Sequence, residues 1–290
     1  MVKLIAADMD GTLLDSQKRL PRRFAPLLER LRGMGVHFAV ASGRQYYNLL
    51  EQFPGLHDEI AFISENGAMV VERGATLYID RIEPETVADR VAAIREIDGA
   101  CPVLCGVKSA YFDSADQEAF ENIGMYYARA EKLGDILTAL EKDTIFKIAV
   151  YDRLGAEANS FPVLTANPAK EPARPLPPGI DPDELTLGPA GLSVILSGAH
   201  WVDLMNPGVN KGTALRMLEQ AYGLDYRQTM AFGDYLNDYE MIRACSHGYA
   251  MANAHPKLLS AARYIAKSND EDGVVDAICR HFGIDPAALD

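Results

Sequence analysis

The stretch KLIAADMDGTLLDS, residues 3–16, decides the fold of this chain because an apolar run ends in two acids. The run LIAA contains no polar residue, which is typical of a strand that is buried on both faces, as in a parallel sheet. Asp8 and Asp10 follow directly, and side chains two residues apart on a strand point the same way. Gly11 then allows a sharp turn and frees backbone N–H groups for an anion. The alternative is a simple strand end with an aspartate that caps a helix.

The segments around this strand alternate between strand and helix patterns. RRFAPLLERLRGMG has apolar residues at helical spacing, and HFAVAS and IAFISENGA are apolar enough for buried strands. AMVVERGATLYIDRI indicates a hairpin that turns at Arg73 and Gly74. The same rhythm returns from residue 211, where KGTALRMLEQAYG precedes the strand pattern TMAFG. We therefore predict an α/β fold whose Rossmann-like core has a parallel sheet with its active edge at the strand carboxyl ends.

The middle of the chain has a different character, which indicates an insert. Strand and helix patterns continue from residue 84, but a proline-rich stretch, NPAKEPARPLPPGIDPDE, interrupts them and favours an irregular surface connection. We predict a catalytic core made of residues 1–83 and 199–290, and a large α/β cap domain made of residues 84–198. The strand pattern WVDLMN falls on the core side of this boundary.

Two further segments carry candidate phosphate ligands. Ser42 and Gly43 end a predicted strand where a helix begins, and a hydroxyl with helix N-terminal N–H groups can bind phosphate. The alternative for Ser42 is an ordinary helix cap. Arg44 follows, as a partner for a substrate anion or as a surface charge. Lys211 begins a helix, which is the unfavourable end for a cation unless an anion lies beside it; the alternative is a solvated lysine.

The segment FGDYLND supplies more acids near a strand end. Asp234 follows the strand TMAFG, and Asn237 and Asp238 come within one turn. Asn237 with Glu240 also fits a helix-capping pair, whereas Asp234 has no such local explanation. Carboxylate oxygens are hard ligands, and several of them at one edge of a sheet suit Mg²⁺.

Composition narrows the functional classes. The net charge of −13 argues against a general nucleic-acid or anionic-membrane surface. No stretch approaches the ~20 apolar residues of a membrane helix, and the first residues resemble a strand rather than a signal peptide. Four cysteines in 290 residues do not make a disulfide framework, so we expect a cytoplasmic protein.

The order of these motifs resembles the haloacid dehalogenase (HAD) superfamily, and within it the Cof-type phosphatases of subfamily IIB. DMDGTLLD, SGR, Lys211 and GDYLND match its four motifs in order, and SENGA, YAMANAHP and SNDEDGVVDAI also match the Cof-type pattern. The resemblance covers the two core segments, whereas the insert matches in length and α/β character. It implies a Mg²⁺-dependent phosphatase that acts on small phosphorylated metabolites, such as sugar phosphates or phosphorylated cofactors.

The resemblance also implies catalytic and metal-binding roles. Asp8 would be the nucleophile that forms an aspartyl-phosphate, and Asp10 would be the general acid and then the general base. Asp8, the backbone carbonyl of Asp10, and Asp234 would hold Mg²⁺. Asn237 and Asp238 would support this metal site without contacting the ion.

The remaining roles implied by the resemblance concern the substrate. Ser42, Gly43 and Lys211 would bind the phosphoryl group, while Arg44 and Asn66 would contact the rest of the substrate. Two alternatives stay open: a phosphomutase of the same superfamily, and a catalytically idle phosphate-binding protein. A dehalogenase would need neither the acid at position 10 nor a metal. We expect no nucleic-acid or membrane partner.

Overall fold

The run LIAAD forms the strand β1 (Leu4–Asp8), and all five of its residues are buried. This follows from its position: β1 lies in the middle of an eight-stranded sheet with a parallel neighbour on each side. The computed structural model describes residues 1–114, 116–178 and 180–289. It divides the chain into two compact units, which are Met1–Tyr78 with Asn210–Asp290, and Ile79–Val209.

The first segment of the first unit alternates strands with helices and then forms a hairpin. After β1 its elements are α1 (Phe24–Gly33), β2 (His37–Ala41), α2 (Tyr46–Gln52), β3 (Ala61–Ser64), β4 (Met69–Glu72) and β5 (Ala75–Ile79). The predicted turn is confirmed, because Arg73 and Gly74 both have the positive φ angles, 48° and 73°, that tight hairpin turns require.

The middle segment forms the second unit. Its elements are α3 (Pro84–Arg95), β6 (Ala100–Gly106), β7 (Ala110–Phe112), α4 (Gln117–Tyr126), β8 (Ala130–Lys132), β9 (Ile145–Asp152), α5 (Ser160–Thr165), β10 (Ser193–Gly198) and β11 (Trp201–Met205). These strands make a separate six-stranded sheet in the order β10-β11-β9-β6-β7-β8. Apolar residues of α3, including Val87, Val91 and Ile94, pack on this sheet in a second hydrophobic core.

The last segment returns to the first unit. Its elements are α6 (Lys211–Tyr222), β12 (Thr229–Gly233), α7 (Tyr239–Arg243), β13 (His247–Met251), α8 (Pro256–Ala261), β14 (Tyr264–Ala266) and α9 (Gly273–Phe282). The first sheet has the order β14-β13-β12-β1-β2-β3-β4-β5, and its strands from β14 to β3 are parallel. Their carboxyl ends therefore lie along one edge, as the alternating pattern predicted.

The structure shifts both boundaries of the predicted cap domain. The sequence pattern assigned residues 199–209 to the core, but β11 pairs antiparallel with β9 and with β10 in the second sheet. β10 and β11 form a hairpin and cannot belong to different sheets, so the second unit continues to Val209. It also begins earlier than predicted, at Ile79.

The proline-rich stretch is irregular, as predicted, with one 3₁₀ turn at Pro182–Glu184 among its described residues. Arg174 from this stretch donates to the buried carboxylate of Asp80, with a distance of 2.5 Å between Nη2 and Oδ2. The Asn206 side chain donates to the other Asp80 oxygen at 2.7 Å. Asp80 thus joins this stretch to residues near both ends of the second unit.

No helix among the described residues is long and apolar enough to cross a membrane. All four cysteines are buried free thiols. Burial raises the pKa of Cys101 to about 11 and that of Cys245 to about 12, which makes both thiols poor nucleophiles.

Candidate active site

Asp8 is the last residue of β1 and lies at the carboxyl edge of the first sheet. Its side chain is almost fully buried, and the Nζ atom of Lys211 lies 2.5 Å from its Oδ1 atom. A buried carboxylate needs such a partner, because desolvation disfavours its charge. Asp8 is therefore bound to a cation rather than acting as a helix cap.

Lys211 is the first residue of α6, and its side chain is completely buried. It donates to Asp8 and also to Asp238, whose Oδ1 atom lies 2.7 Å away. Burial and the helix N-terminus both disfavour a cation here, and the two carboxylates offset this cost. The alternative of a solvated lysine is wrong.

Asp234 and Asp238 follow β12 and approach the same place. The Oδ2 atom of Asp238 accepts the backbone N–H groups of Asp234 and Tyr235 at 3.0 and 3.1 Å. Since its Oδ1 atom accepts from Lys211, both Asp238 oxygens are engaged. Asp234 accepts a hydrogen bond from the Thr12 hydroxyl at 3.1 Å.

The carboxylates of Asp8, Asp234 and Asp238 form a cluster in which one oxygen of each lies within 4.8 Å of the others. Burial, and then Asp238, raise the pKa of Asp8 well above its ordinary value, although Lys211 lowers it. The same two causes raise the pKa of Asp234. Burial would lower the pKa of Lys211, but Asp238 and Asp8 outweigh it and raise this pKa. Three acids beside one lysine leave an excess of negative charge that a further cation would offset.

Gly11 allows the two acidic loops to approach each other. Its φ angle is +80°, and a Cβ atom at this position would lie 2.4 Å from the Asp234 Oδ2 atom. Any other residue would be strained and would displace the Asp234 carboxylate. The Gly in DMDG is therefore required both by the turn and by this contact.

Asp10 lies at the rim and is held by two cations. The Arg44 guanidinium binds both of its oxygens, with Nη2 2.6 Å from Oδ1 and Nε 2.9 Å from Oδ2. The Lys18 Nζ atom lies 2.7 Å from Oδ1. The alternative of Arg44 as a solitary surface charge is therefore wrong. The backbone of Lys18 is left-handed, with a φ angle of 62°, at the point from which its side chain reaches Asp10.

Ser42 and Gly43 follow β2 in a buried turn. The Ser42 side chain does not cap α2, which begins at Tyr46 without a side-chain cap. Instead, its hydroxyl oxygen accepts the Arg44 N–H at 3.2 Å, and its backbone carbonyl accepts the N–H of Asn66 at 3.0 Å. The helix-cap alternative for Ser42 is therefore wrong.

Asn66 and Asn237 meet beside Gly43. The Asn237 side chain donates to the Asn66 Oδ1 atom at 3.1 Å, and α7 begins at Tyr239 without a side-chain cap. The capping alternative for Asn237 is thus not what the structure shows. Asn66 has a left-handed backbone (φ 54°, ψ 26°), a conformation that costs energy for a residue other than glycine. Such strain is common at functional sites.

These residues line a cleft of about 320 Å³. Its lining consists of Asp8, Asp10, Ser42, Gly43, Arg44, Asp234, Tyr235 and Asn237. Apart from Tyr235, every one of them is a predicted site residue, whereas Lys211 and Asp238 are fully buried beside it. Three residues at the site were not predicted from the sequence, namely Thr12, Lys18 and Tyr235. Thr12 and Tyr235 adjoin the motifs and could have been found there, but nothing in the sequence points to Lys18.

The family model described as haloacid dehalogenase-like hydrolase matches residues 5–278. The 5-amino-6-(5-phospho-D-ribitylamino)uracil phosphatase YbjI of Escherichia coli strain K12 is 34% identical over 279 residues, which cover 96% of this chain and 95% of that protein.

Two solved structures have the same fold. SMU.1108c from Streptococcus mutans UA159 is 29% identical and superposes with a TM-score of 0.76 over 98% of this chain and all of that one. The HAD subclass IIB sugar phosphatase BT4131 is 20% identical, with a TM-score of 0.73 over 98% of this chain and all of that one. At that identity the second match supports the fold alone. The chain therefore belongs to the haloacid dehalogenase-like hydrolase family, within which it is a phosphatase.

Proposed function

We propose that this phosphatase hydrolyses phosphate monoesters of small metabolites through a covalent aspartyl-phosphate at Asp8, with Mg²⁺ as its cofactor. The observation that carries the proposal is the Asp8 carboxylate in the cleft, bound at 2.5 Å by the buried Lys211. A fixed, partly neutralised carboxylate beside an open cleft is what nucleophilic attack on a phosphate ester needs.

The reaction divides into two transfers. An Asp8 oxygen forms a bond to phosphorus while the bond from phosphorus to the ester oxygen breaks, and Asp10 gives that oxygen its proton. Water then attacks phosphorus while the bond from phosphorus to the Asp8 oxygen breaks; Asp10 accepts a proton from the water, inorganic phosphate leaves, and the Asp8 carboxylate is regenerated. Because Arg44 and Lys18 bind Asp10 before substrate arrives, the ester oxygen must displace one of these contacts.

The acidic cluster fits Mg²⁺. Asp8 and Asp234 offer hard carboxylate oxygens close together, and the excess negative charge has no second cation among the described residues. The backbone carbonyl of Asp10 is the third ligand that we propose. Asp238 has both oxygens engaged, which supports a role beside the metal site rather than in it. When bound, the ion would offset the charge of the approaching phosphate.

The phosphoryl group and the leaving group would use different residues. Ser42, Gly43 and Lys211 are placed to bind phosphoryl oxygens. Arg44 and Asn66 would contact the leaving group, because both carry side-chain donors at or beside the cleft. Asn237 would hold Asn66 in place.

The relative from E. coli suggests a substrate class. Its printed substrate is a phosphate ester at the end of a ribityl chain, so its leaving group is an alkyl alcohol. We propose that this chain also prefers phosphate on a polyhydroxylated alkyl chain. A panel that contains this compound, several sugar phosphates and aryl phosphates, ranked by kcat/KM, would test the preference.

The first test concerns Asp8 and the metal. We expect phosphate release to stop after treatment with EDTA and to return with Mg²⁺. Asp8→Asn should abolish both release and the phosphoenzyme that acid quenching traps in the wild type. Release that persists without metal would refute the Mg²⁺ assignment, and a trapped phosphoenzyme in Asp8→Asn would refute the nucleophile. Isomerised ester in place of free phosphate would identify a phosphomutase.

The second test concerns Asp10 as the acid. An alkyl alkoxide leaves poorly without a proton, whereas nitrophenolate needs no help. In single-turnover phosphoryl transfer, Asp10→Asn should therefore lose ~10²–10⁴-fold on an alkyl phosphate and much less on p-nitrophenyl phosphate. Single turnovers are needed because the second step also uses Asp10. Equal losses on the two esters would contradict the assignment.

A further inference from the structure

Two asparagines belong to sequence motifs of the Cof-type pattern but have no role in the mechanism proposed above. Asn253 belongs to YAMANAHP and lies in the turn after β13. Asn269 belongs to SNDEDGVVDAI and begins the 3₁₀ turn after β14. More than 230 residues separate both from the first strand, so their contacts depend on the fold rather than on local sequence.

Both side chains bind the loop that carries Asp10. The Asn253 Nδ2 atom donates to the backbone carbonyl of Gly11 at 2.8 Å. The Asn269 Nδ2 atom donates to the backbone carbonyl of Leu14 at 2.9 Å, in a buried contact. The two asparagines are also joined, because the Asn269 N–H donates to the Asn253 Oδ1 atom at 3.2 Å. They form one clamp on residues 11–14.

This loop is held from outside as well as by its own backbone bonds, in which the Leu13 and Leu14 N–H groups donate to the Met9 carbonyl. Asp10 precedes Gly11, which has the widest backbone freedom of any residue and is held here at φ +80°. A trans peptide is planar, so a donor on the Gly11 carbonyl fixes the plane of the peptide between Gly11 and Thr12. That plane adjoins Thr12 directly, and it constrains Asp10 through the single residue Gly11.

The same turn after β13 also contacts the other acidic loop. The backbone N–H of His255 donates to the Asp234 carbonyl at 2.8 Å, two residues after the Asn253 contact with Gly11. The Thr12 hydroxyl bonds to Asp234 directly. The turn therefore ties the Asp10 loop and the Asp234 loop to one rigid point at the end of β13.

We propose that Asn253 and Asn269 are positioning residues for phosphoryl transfer: by binding the Gly11 and Leu14 carbonyls, they hold Asp10 where it can protonate the leaving oxygen. This inference rests on the proposed function, in which Asp10 is the general acid. Neither asparagine is among the residues that line the cleft.

The experiment compares single-turnover phosphoryl transfer to Asp8 from an alkyl phosphate and from p-nitrophenyl phosphate. Misplacing a catalytic group by about 1 Å costs up to ~100-fold. Asn253→Ala and Asn269→Ala should therefore each slow transfer from the alkyl ester about 10- to 100-fold. Transfer from the nitrophenyl ester needs no proton, so it should slow several-fold less than transfer from the alkyl ester. The KM of either ester should change little, and Asn253→Gln, which keeps the donor, should recover part of the loss.

Two controls separate this inference from the proposed function and from simple loss of stability. Asn159→Ala removes an asparagine amide in the second unit that donates to the backbone carbonyl of Asp98 and also to the Asp152 carboxylate, and it should leave the ratio of the two rates unchanged. In the Asp10→Asn background, Asn253→Ala should cause no further change in that ratio.

The possible outcomes test separately the positioning role of the two asparagines and the role of Asp10 as the general acid. Equal rate losses on both esters in Asn253→Ala and Asn269→Ala, while Asp10→Asn discriminates between the esters, would overturn the positioning role alone. A failure of Asp10→Asn to discriminate would overturn the proposed acid instead. An additive loss in the double variant would show that Asn253 does not act through Asp10.

Discussion

At the residue scale, Lys211 determines how much negative charge the site can hold. It is buried between Asp8 and Asp238, and Asp234 adds a third carboxylate beside them. One ammonium cannot neutralise three carboxylates, so the cluster is under electrostatic strain without a further cation. Sites that are shaped for charged ligands often lower the stability of the protein that carries them.

This strain predicts the effect of Asp8→Asn on stability. Burial and Asp238 raise the pKa of Asp8, so folding disfavours its ionised form and stability is lost as the pH rises through the raised pKa. Removing the charge should raise the midpoint of thermal unfolding at pH 7.5 in EDTA by about 1–2 °C for each ~1 kcal/mol gained, because the entropy of unfolding is ~2.1 cal/mol/K per residue. Scanning calorimetry measures the shift.

The matched control is Asp10→Asn, which changes an acid at the rim that already has two cationic partners. It should not raise the unfolding midpoint. In 10 mM Mg²⁺, the wild type should gain more stability than Asp8→Asn does, because the variant has lost a ligand. A lower midpoint for Asp8→Asn in EDTA would show that its bond to Lys211 outweighs the repulsion.

At the element scale, the strand ends explain why the sequence alone located most of the cleft. A buried apolar run followed by acids marks the end of β1, and parallel strands carry their ends to one edge. Sequence order was enough to bring Asp8, Ser42 and Asp234 together. It could not show that Lys18 reaches Asp10, because that contact depends on a left-handed residue within an irregular loop.

The sequence predicts the helices and strands of the second unit less completely, for physical reasons. Residues 108–132 show no clear pattern of strand or helix in the sequence, whereas the structure has β7, α4 and β8 there. β7 and β8 have three residues each, too few for a period to be recognised. The pattern LGDILTALEK, residues 133–142, indicates a helix, and the structure has a 3₁₀ helix at Ile136–Glu141. Its apolar spacing fits both types of helix, so the pattern does not distinguish them.

Asp152, the last residue of β9, connects this strand to the start of α5. Its buried carboxylate accepts the N–H groups of Ser160, at the start of α5, and of Leu154, at 2.9 and 3.0 Å. Asp152→Ala leaves these donors without an acceptor, at a cost of about 1–3 kcal/mol for a buried group. Chemical denaturation should show this loss. Asp116→Ala, which removes an exposed cap from α4, should cost less.

The stability lost in Asp152→Ala should depend on pH in a definite direction. Burial would raise the pKa of Asp152, but hydrogen bonds from Ser160 and Asn159 outweigh it and lower this pKa. Its contribution is therefore present above the unfolded value of 3.8 and is lost as the pH falls through the lowered pKa. Wild type and Asp152→Ala should differ most near neutral pH and converge in acid. A constant difference down to pH 2 would contradict the role of its charge.

At the scale of the whole molecule, the first sheet has chemically different edges. Acids crowd the carboxyl ends of its strands, whereas two histidines lie at the amino ends, His37 at the start of β2 and His247 at the start of β13. The His37 ring stacks on Tyr222 with a centroid distance of 3.9 Å, and His247 stacks on Tyr264 at 6.2 Å. Partial burial lowers the pKa of both histidines, so both are neutral at pH 7.5.

These histidines predict how stability responds to mild acid. The unfolded chain protonates them near pH 6.5, but the folded chain resists protonation, so stability should fall as the pH drops from 7.5 to 5.5. The slope cannot exceed about 1.4 kcal/mol per pH unit for each histidine, and both rings are partly exposed, which reduces it.

Replacing His37 and His247 with phenylalanine keeps the ring stacking and removes the titration. The free energy of unfolding of this double variant, measured by urea denaturation, should fall less over that range than that of the wild type. The raised pKa of Asp8 acts in the opposite direction but is common to both proteins, so it cancels in the comparison. Parallel curves would show that the amino ends of the sheet do not sense pH.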